Sequence, residues 1–221
     1  MEEIVRILNT EYVTHDVRRF QVEKPDGYKF TPGQATEVSV NTPKYKDEKR
    51  PFTFTGLNDE QYLEFTIKIY RDHNGVTKEL GNLKTGDELI IRDVWGAITY
   101  KGTGIFIAGG AGITPFISIF RDLWTKNEIT GNKLLFGNKT KADIILESEF
   151  MQLLGNSFIN ILSEERTSDY SYGFIDEEFL RANIKDLEQN IYLCGPPPMV
   201  DSVTKYLKNI GIEENSITLE L

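Results

Sequence analysis

Cysteine is almost missing from this chain, and histidine nearly so. A single cysteine, Cys194, among 221 residues excludes an internal disulfide, a four-thiolate zinc site and an iron–sulfur cluster held by this chain alone. Two histidines, His15 and His73, leave little from which to build a metal centre, and none is expected. Long apolar runs are missing as well. No stretch approaches the roughly 18 residues that read as a membrane helix, so no membrane span is expected. The opening, MEEIVRILNTEY, starts with acids and lacks the basic-then-apolar order of a secretory signal, which makes a reducing cytoplasm the expected compartment. Positive charge is in deficit too: the net charge of −9 argues against nucleic acid as a partner, because phosphate backbones are met by basic faces. The deficit is uneven, with 15 basic against 17 acidic residues up to Lys101 and 10 against 17 beyond it. That excess of acid reads as a solvated surface.

What is present has two rhythms. Up to about residue 100, short β-rich segments (YVTHDVRRFQVEK, QATEVSVN, YLEFTIKIY and DELIIRDVWGAITY) alternate with turn signals at Pro25-Asp26-Gly27, Pro32-Gly33, Gly56 to Asp59, His73-Asn74-Gly75 and Thr85-Gly86-Asp87. Such spacing predicts an antiparallel β-barrel, closed or nearly so, with one short helix from Thr77 to Leu83. From Gly104 onward, short apolar runs (GIFIAGG, KLLFGN, SFINILSEE, NIYLCGP) alternate with helical stretches near 115–126, 147–154, 177–183 and 198–209. Strands apolar on both faces and separated by helices predict a doubly wound parallel sheet, to which the terminal ITLEL adds a strand. The expected organisation is therefore β followed by α/β, with domains at 1–101 and 102–221 joined near Lys101 to Thr103.

Three places carry chemistry. In GIFIAGGAGITPF a buried strand ends in Gly109-Gly110-Ala111-Gly112 and turns into a helix opening at Thr114-Pro115. Glycines admit close backbone approach, and a helix N-terminus offers free N–H groups to a pyrophosphate; proline in the first turn costs no donor. Tight packing is the plain alternative. The pattern is not GxGxxG, so it departs from the usual dehydrogenase fingerprint. In NIYLCGPPPMV a second buried strand ends at a Gly-Pro turn. Two such ends in one parallel sheet converge on the crevice at its carboxyl edge. Cys194 at that end is either a small core residue or a contact residue. Third, RPFTFTG places Arg50, a permanent charge suited to phosphate, two residues before Phe52 and three before Thr53; taken alone it reads simply as a barrel strand.

The order RPFT, FTIKIY, GVT, GGAGITP, CGPPPM, running from about Tyr12 to the end of the chain, resembles the ferredoxin–NADP reductase superfamily, its flavodoxin reductases and its NADH-dependent cytochrome and nitrate reductases above all. The resemblance implies a flavin-binding barrel followed by a nucleotide domain. It also implies roles. Arg50 would meet a flavin phosphate. Pro51 and Phe52 would line the ribityl chain or ring. Thr53 would hydrogen-bond near flavin N5. Ile67, Lys68 and Tyr70 would run along the flavin tail, and Gly75, Val76 and Thr77 would form the phosphate turn at a helix start. Gly109, Gly110, Gly112, Thr114 and Pro115 would hold the dinucleotide. Cys194, Gly195, Pro196 and Met199 would place the nicotinamide beside the flavin, with Thr53 and Cys194 closest to the chemistry. A pyrophosphate turn favours FAD over FMN, the FMN-dependent members being the alternative. The motif ends Phe-Thr where Tyr-Ser is commoner, and the terminal Leu219-Glu220-Leu221 lacks the covering aromatic of some members.

The function so implied is hydride transfer from NADH or NADPH to bound FAD, with electrons passing to a separate acceptor such as flavodoxin, ferredoxin, another carrier, a quinone or a small oxidant. Cofactors supply the difficult chemistry, and the protein orients them. The stretches GNKTKAD and SEERTSD hold Lys139, Lys141 and Arg166, which suit a 2′-phosphate, but Glu164 and Glu165 repel one, so the reading leans to NADH. Arg18, Arg19, Lys44, Lys46 and Lys49 are candidates for an acceptor-facing basic patch. Two other classes are kept: a non-catalytic flavin-binding sensor or docking subunit, and a barrel that binds no cofactor.

Overall fold

A computed structural model of the chain describes residues 2–72, 75–96 and 98–219. The chain folds into two compact units: Met1–Thr99 with Thr114–Asp122, and Tyr100–Ile113 with Leu123–Leu221.

The first unit is the antiparallel barrel. Its strands are β1 (Glu3–Tyr12), β2 (Val17–Glu23), β3 (Gln34–Val40), β4 (Arg50–Thr53), β5 (Tyr62–Lys68) and β6 (Glu88–Gly96), with the short helix α1 (Val76–Leu80) before β6. They run in the order β4-β3-β6-β1-β2-β5. A bridge between Phe54 and Phe65 closes the ends, reinforced by Thr55 N–H donating to the Glu64 carbonyl at 2.8 Å. Period-2 alternation decides which side chains fill it. In β5, Leu63, Phe65 and Ile67 turn inward to the core while Glu64, Thr66 and Lys68 turn outward. Phe54 stacks on Phe30 at 4.3 Å, and α1 adds Val76 and Leu80, one turn apart, to the same core. Burying each such side chain contributes about 1.5–3 kcal/mol.

The segment YVTHDVRRFQVEK is not one strand. The chain reverses after Tyr12, with Thr14 Oγ1 accepting from Val17 N–H at 3.1 Å, and residues 3–12 form a strand that the composition of EIVRILNTEY hides. Only Val5 and Ile7 of β1 are buried, and a bulge between Ile7 and Asn9 breaks the alternation. Of the turn at 73–75, His73 and Asn74 lie outside the described residues, as do the terminal Glu220 and Leu221.

The second unit is a parallel six-stranded sheet. Its elements are β7 (Gly104–Gly109), α2 (Thr114–Thr125, its first nine residues grouped with the barrel), β8 (Lys133–Asn138), α3 (Glu147–Leu154), β9 (Phe158–Leu162), β10 (Ser171–Tyr172), α4 (Glu177–Asn183), β11 (Asn190–Cys194), α5 (Pro197–Ile210) and β12 (Ile217–Leu219). The order is β10-β9-β8-β7-β11-β12. Every residue of β7 is buried, as a strand covered on both faces requires. One face sends Ile105, Ile107, Leu135 and Leu193 against Leu180 of α4 and Val203 and Leu207 of α5. The opposite face stacks Phe106 on Tyr192 at 4.3 Å and sets Phe158 against Phe150 of α3 at 5.4 Å. The chain steps outward from β7 to β8 and β9, then returns to place β11 on the other side of β7. The switch point of this sheet therefore lies between β7 and β11, where open α/β sheets take ligands.

Candidate functional site

At that switch point the two glycine-rich turns pack on one another. Cys194 pairs with Ala108 at the ends of β11 and β7. A methyl group placed on Gly112 would lie 2.5 Å from the Cys194 carbonyl oxygen and 2.7 Å from the Gly195 Cα. One on Gly109 would strike the Met199 sulfur, and one on Gly195 would stand 3.3 Å from the Gly109 nitrogen. Three of the four glycines are thus small because another part of this unit needs the room. Gly110 differs: its φ of +51° is left-handed, and among the described residues nothing beyond its chain neighbours lies within 4 Å of where its Cβ would be. It is the open position of the turn, and it fits the close approach of a pyrophosphate.

Cys194, buried and in no disulfide, ends β11 beside this turn. Pro196 caps α5, accepting from Met199 and Val200 N–H at 2.9 and 3.0 Å. Sequence reading missed two neighbours on the adjacent strands, Asn138 at the end of β8 and Asn160 in β9. Both are buried, and neither amide nitrogen nor oxygen has a hydrogen-bond partner. Unpartnered buried amides are costly. At the carboxyl end of β8, Asn138 offers a dinucleotide both a donor and an acceptor. The signal was an asparagine in each of two strands whose other buried residues are apolar.

In the barrel unit, alternation along β4 turns Phe52 and Phe54 inward and Thr53 and Thr55 outward. Phe52 packs partly on the core, leaving the rest of its ring for a ligand. Pro51 is exposed. Arg50 is exposed, and its guanidinium donates to the Lys49 carbonyl at 2.7 Å; among the described residues no carboxylate pairs with it, so its fork fits a phosphate. Thr53, 5% exposed, shares a 3.0 Å hydrogen bond with the hydroxyl of Thr114, the first residue of α2, while Pro115 beside it is buried. The hydroxyls of the flavin-type and dinucleotide-type motifs are thereby joined.

The remaining barrel candidates divide by face. Ile67 is in the core, so only its backbone can serve a ligand. Lys68 faces outward but is held by Asp16 at 2.8 Å. Burial alone would push the Asp16 carboxyl up; the hydrogen bond and charge of Lys68 outweigh it and hold the group below the ordinary value. Tyr70 lies beyond β5 and is exposed. Gly75 caps α1 with an extended backbone, and among the described residues no atom beyond its chain neighbours lies within 4 Å of its missing Cβ. That leaves an open approach to the first N–H groups of α1, as a phosphate needs. Val76 is core and Thr77 half-buried.

The cations proposed for charge recognition are mostly engaged. Arg18 caps α1 by donating to the carbonyls of Leu80 and Gly81 at 3.2 and 3.0 Å, Arg19 bonds Glu11, and Lys49 meets Glu37 at 3.6 Å. Lys44 lies over the Tyr45 ring, and Lys46 is exposed. In the sheet unit, Lys139 pairs with Glu164 at 3.0 Å and Lys141 with Asp169 at 3.6 Å. Glu165 accepts from the Lys141 backbone at 2.6 Å, and Arg166 stacks on Tyr172 at 3.7 Å.

Known proteins share both halves of this arrangement. Residues 5–100 match the family described as oxidoreductase FAD-binding domain, and residues 106–205 the oxidoreductase NAD-binding domain. The chain is 27% identical over 241 residues to NADH-cytochrome b5 reductase 3 of Rattus norvegicus, a match that covers 89% of this chain and 78% of that one. It is 26% identical over 232 residues to the reductase component of propane 2-monooxygenase of Rhodococcus jostii, covering 96% of this chain and 61% of that protein. A solved ferredoxin NADP+ reductase of Neisseria gonorrhoeae with bound FAD and NADP has the same fold, with a TM-score of 0.86 over 99% of this chain and 98% of that one at 18% identity.

Proposed function

The chain belongs to the ferredoxin–NADP reductase superfamily and is an NAD(P)H-dependent flavoprotein reductase using FAD; from that premise we propose that it takes electrons from NADH and passes them to a separate redox carrier. Residues 1–101 form the flavin-binding part and 102–221 the dinucleotide-binding part of this reading. Arg50 and the turn at Gly75 to Thr77 hold the FAD phosphates, Phe52 offers an apolar edge, and Thr53 orients its hydroxyl toward the flavin ring. Gly110 admits the dinucleotide pyrophosphate, while Gly112, Cys194, Gly195 and Met199 fix the shape of the turn around it. When bound, FAD supplies the two-electron acceptor for the nicotinamide hydride, and the residues of this chain hold and orient.

One observation carries the reading: the Thr53–Thr114 hydroxyl pair, which ties the motif for one cofactor to the motif for the other. The preference for NADH rests on the loops after β8 and β9, where Lys139 and Lys141 are already paired with Glu164 and Asp169. A 2′-phosphate entering there meets satisfied cations and surplus acids. The carrier is separate, as in the relative that is a reductase component of a monooxygenase. Because Arg18, Arg19 and Lys49 are engaged, a carrier that is not strongly acidic is favoured over a flavodoxin- or ferredoxin-like one. A cytoplasmic setting belongs to the same proposal; among the described residues no helix is long and apolar enough to cross a membrane. The test is an anaerobic titration of the purified yellow protein with NADH and NADPH in parallel. Bleaching at lower NADH than NADPH supports the proposal; bound flavin that neither donor reduces would leave a sensor instead.

A further inference from the structure

Helix α2 is apolar nearly all round: Phe116, Ile117, Ile119, Phe120 and Leu123 are buried. Of its five polar residues, Thr114, Ser118 and Arg121 stand at positions i, i+4 and i+7, a single stripe on a helix of 3.6 residues per turn. Each member of the stripe meets a group of the barrel unit. Thr114 shares its hydroxyl hydrogen bond with Thr53. Ser118, fully buried, accepts from Gly33 N–H at 3.1 Å, at a turn where Gly33 has a φ of +91° and lies against the Ile98 carbonyl. Arg121 donates to the Glu64 carboxylate at 2.7 Å and to the Thr55 carbonyl at 2.8 Å. Glu64 is 3% exposed although it points away from the barrel core, and its carboxylate also accepts from Thr55 Oγ1 at 3.0 Å and Gln21 at 3.4 Å. A buried carboxylate satisfied to this degree by a half-buried arginine has steep geometric demands, because any slip of the helix leaves the buried ion short of partners. It fixes both the rotation and the axial position of α2, and hence where the Thr114 hydroxyl stands.

We propose that Arg121 and Glu64, with Ser118 between, are positioning residues that hold the Thr114 hydroxyl in register with Thr53, and so set the orientation of the Thr53 hydroxyl on which hydride transfer depends. This rests on the reading of Thr53 given above. The pair acts through Thr114 and touches no cofactor.

The test uses FAD-loaded protein, anaerobic stopped flow with NADH, and four variants: Arg121→Gln, Thr114→Val, their combination, and Ser118→Ala. Arg121→Gln is expected to slow flavin reduction on the order of tenfold to a hundredfold, the scale that a misplacement of about 1 Å costs, with the NADH dissociation constant and FAD stoichiometry unchanged. In the Thr114→Val background the same substitution is expected to add less than about twofold, since residues acting through one another are non-additive. Ser118→Ala should slow reduction in the same direction but less, and it carries the test if Arg121→Gln does not fold. Amide hydrogen exchange across Thr114–Ser118 should quicken in Arg121→Gln with or without NADH. Full additivity of the two substitutions, or a parental reduction rate in both Arg121→Gln and Ser118→Ala, overturns the proposal. If NADH fails to reduce even the parent, the functional reading falls, while the exchange data still report whether the stripe holds the helix start.

Discussion

Substituting the glycines of the GGAG turn one at a time separates three reasons for being glycine, and Gly112→Ala is the decisive case. Its new methyl would stand 2.5 Å from the Cys194 carbonyl oxygen, 2.6 Å from the carbonyl carbon and 2.7 Å from the Gly195 Cα. All three are backbone atoms of β11 and its turn, fixed by the parallel ladder to β7. Nothing flexible can yield, so one of the two turns must shift. Overpacking of this kind costs about 1–3 kcal/mol, which for a chain of this size lowers a thermal midpoint by about 2–4 °C per kcal/mol. Gly109→Ala is milder, because the nearest atom is the sulfur of Met199, an unbranched side chain that can swing aside. Gly110→Ala meets no atom of the described residues beyond its chain neighbours within 4 Å; its cost is the left-handed backbone, about 1 kcal/mol, and a methyl in the space through which the dinucleotide approaches. Thermal unfolding by circular dichroism and NADH affinity by calorimetry should therefore rank the variants in opposite orders. Gly112→Ala is least stable, and Gly110→Ala binds NADH most weakly relative to its stability. A Gly112→Ala protein as stable as the parent would refute the assignment of this glycine to packing.

Three further outcomes are expected. Thr53→Ala should retain FAD but slow its reduction by NADH about tenfold, the rate equivalent of one lost hydrogen bond of ~1–1.5 kcal/mol, as read by stopped flow. Glu164→Gln combined with Asp169→Asn frees Lys139 and Lys141, and should lower the KM for NADPH by about tenfold or more, since a hydrogen bond to a charged group contributes ~1.5–3 kcal/mol; an unchanged ratio of NADPH to NADH efficiency places the 2′-phosphate elsewhere. Burial, then the hydrogen bond and charge of Glu147, push the Tyr170 phenol from 10.0 up to about 12. The unfolded chain thus loses that proton first: stability from this group is whole below pH 10 and falls toward pH 12, and Tyr170→Phe should flatten the decline in urea midpoints across that window.

The parts of the fold legible in the sequence were those in which one physical demand writes one pattern. Strands buried on both faces are mostly apolar, and GIFIAG and the IYLC of NIYLC are. Strands of a barrel must alternate, and YLEFTIK does, placing Phe65 and Ile67 inside. The strand Glu3–Tyr12 was not legible because its outer face is open to solvent and a bulge removes its period. Within the site, glycine was visible but its reason was not. A glycine demanded by the Cys194 backbone and a glycine open to a phosphate leave the same letter, and only the neighbours separate Gly112 from Gly110. Lys68 was equally ambiguous, since a cation on an outward face reads alike whether it awaits a ligand or holds Asp16.

Glu64 shows where single-strand logic ends and what takes over. Alternation sends it out of the barrel, and an outward glutamate is ordinarily solvated. Here it is buried because Arg121, 57 positions later, covers it from a helix whose own sequence looks merely apolar. Neither residue announces the other, for an ion pair between distant segments leaves no local period to read. Yet TPFISIFRDLWT did hold half of the answer: a helix buried on almost every side cannot afford an arginine and a serine unless something across from them is polar. Polar residues spaced i, i+4, i+7 in an apolar helix thus predict a complementary polar surface even where the sequence cannot say which strand supplies it, and in this chain that surface includes Thr53 of the flavin motif.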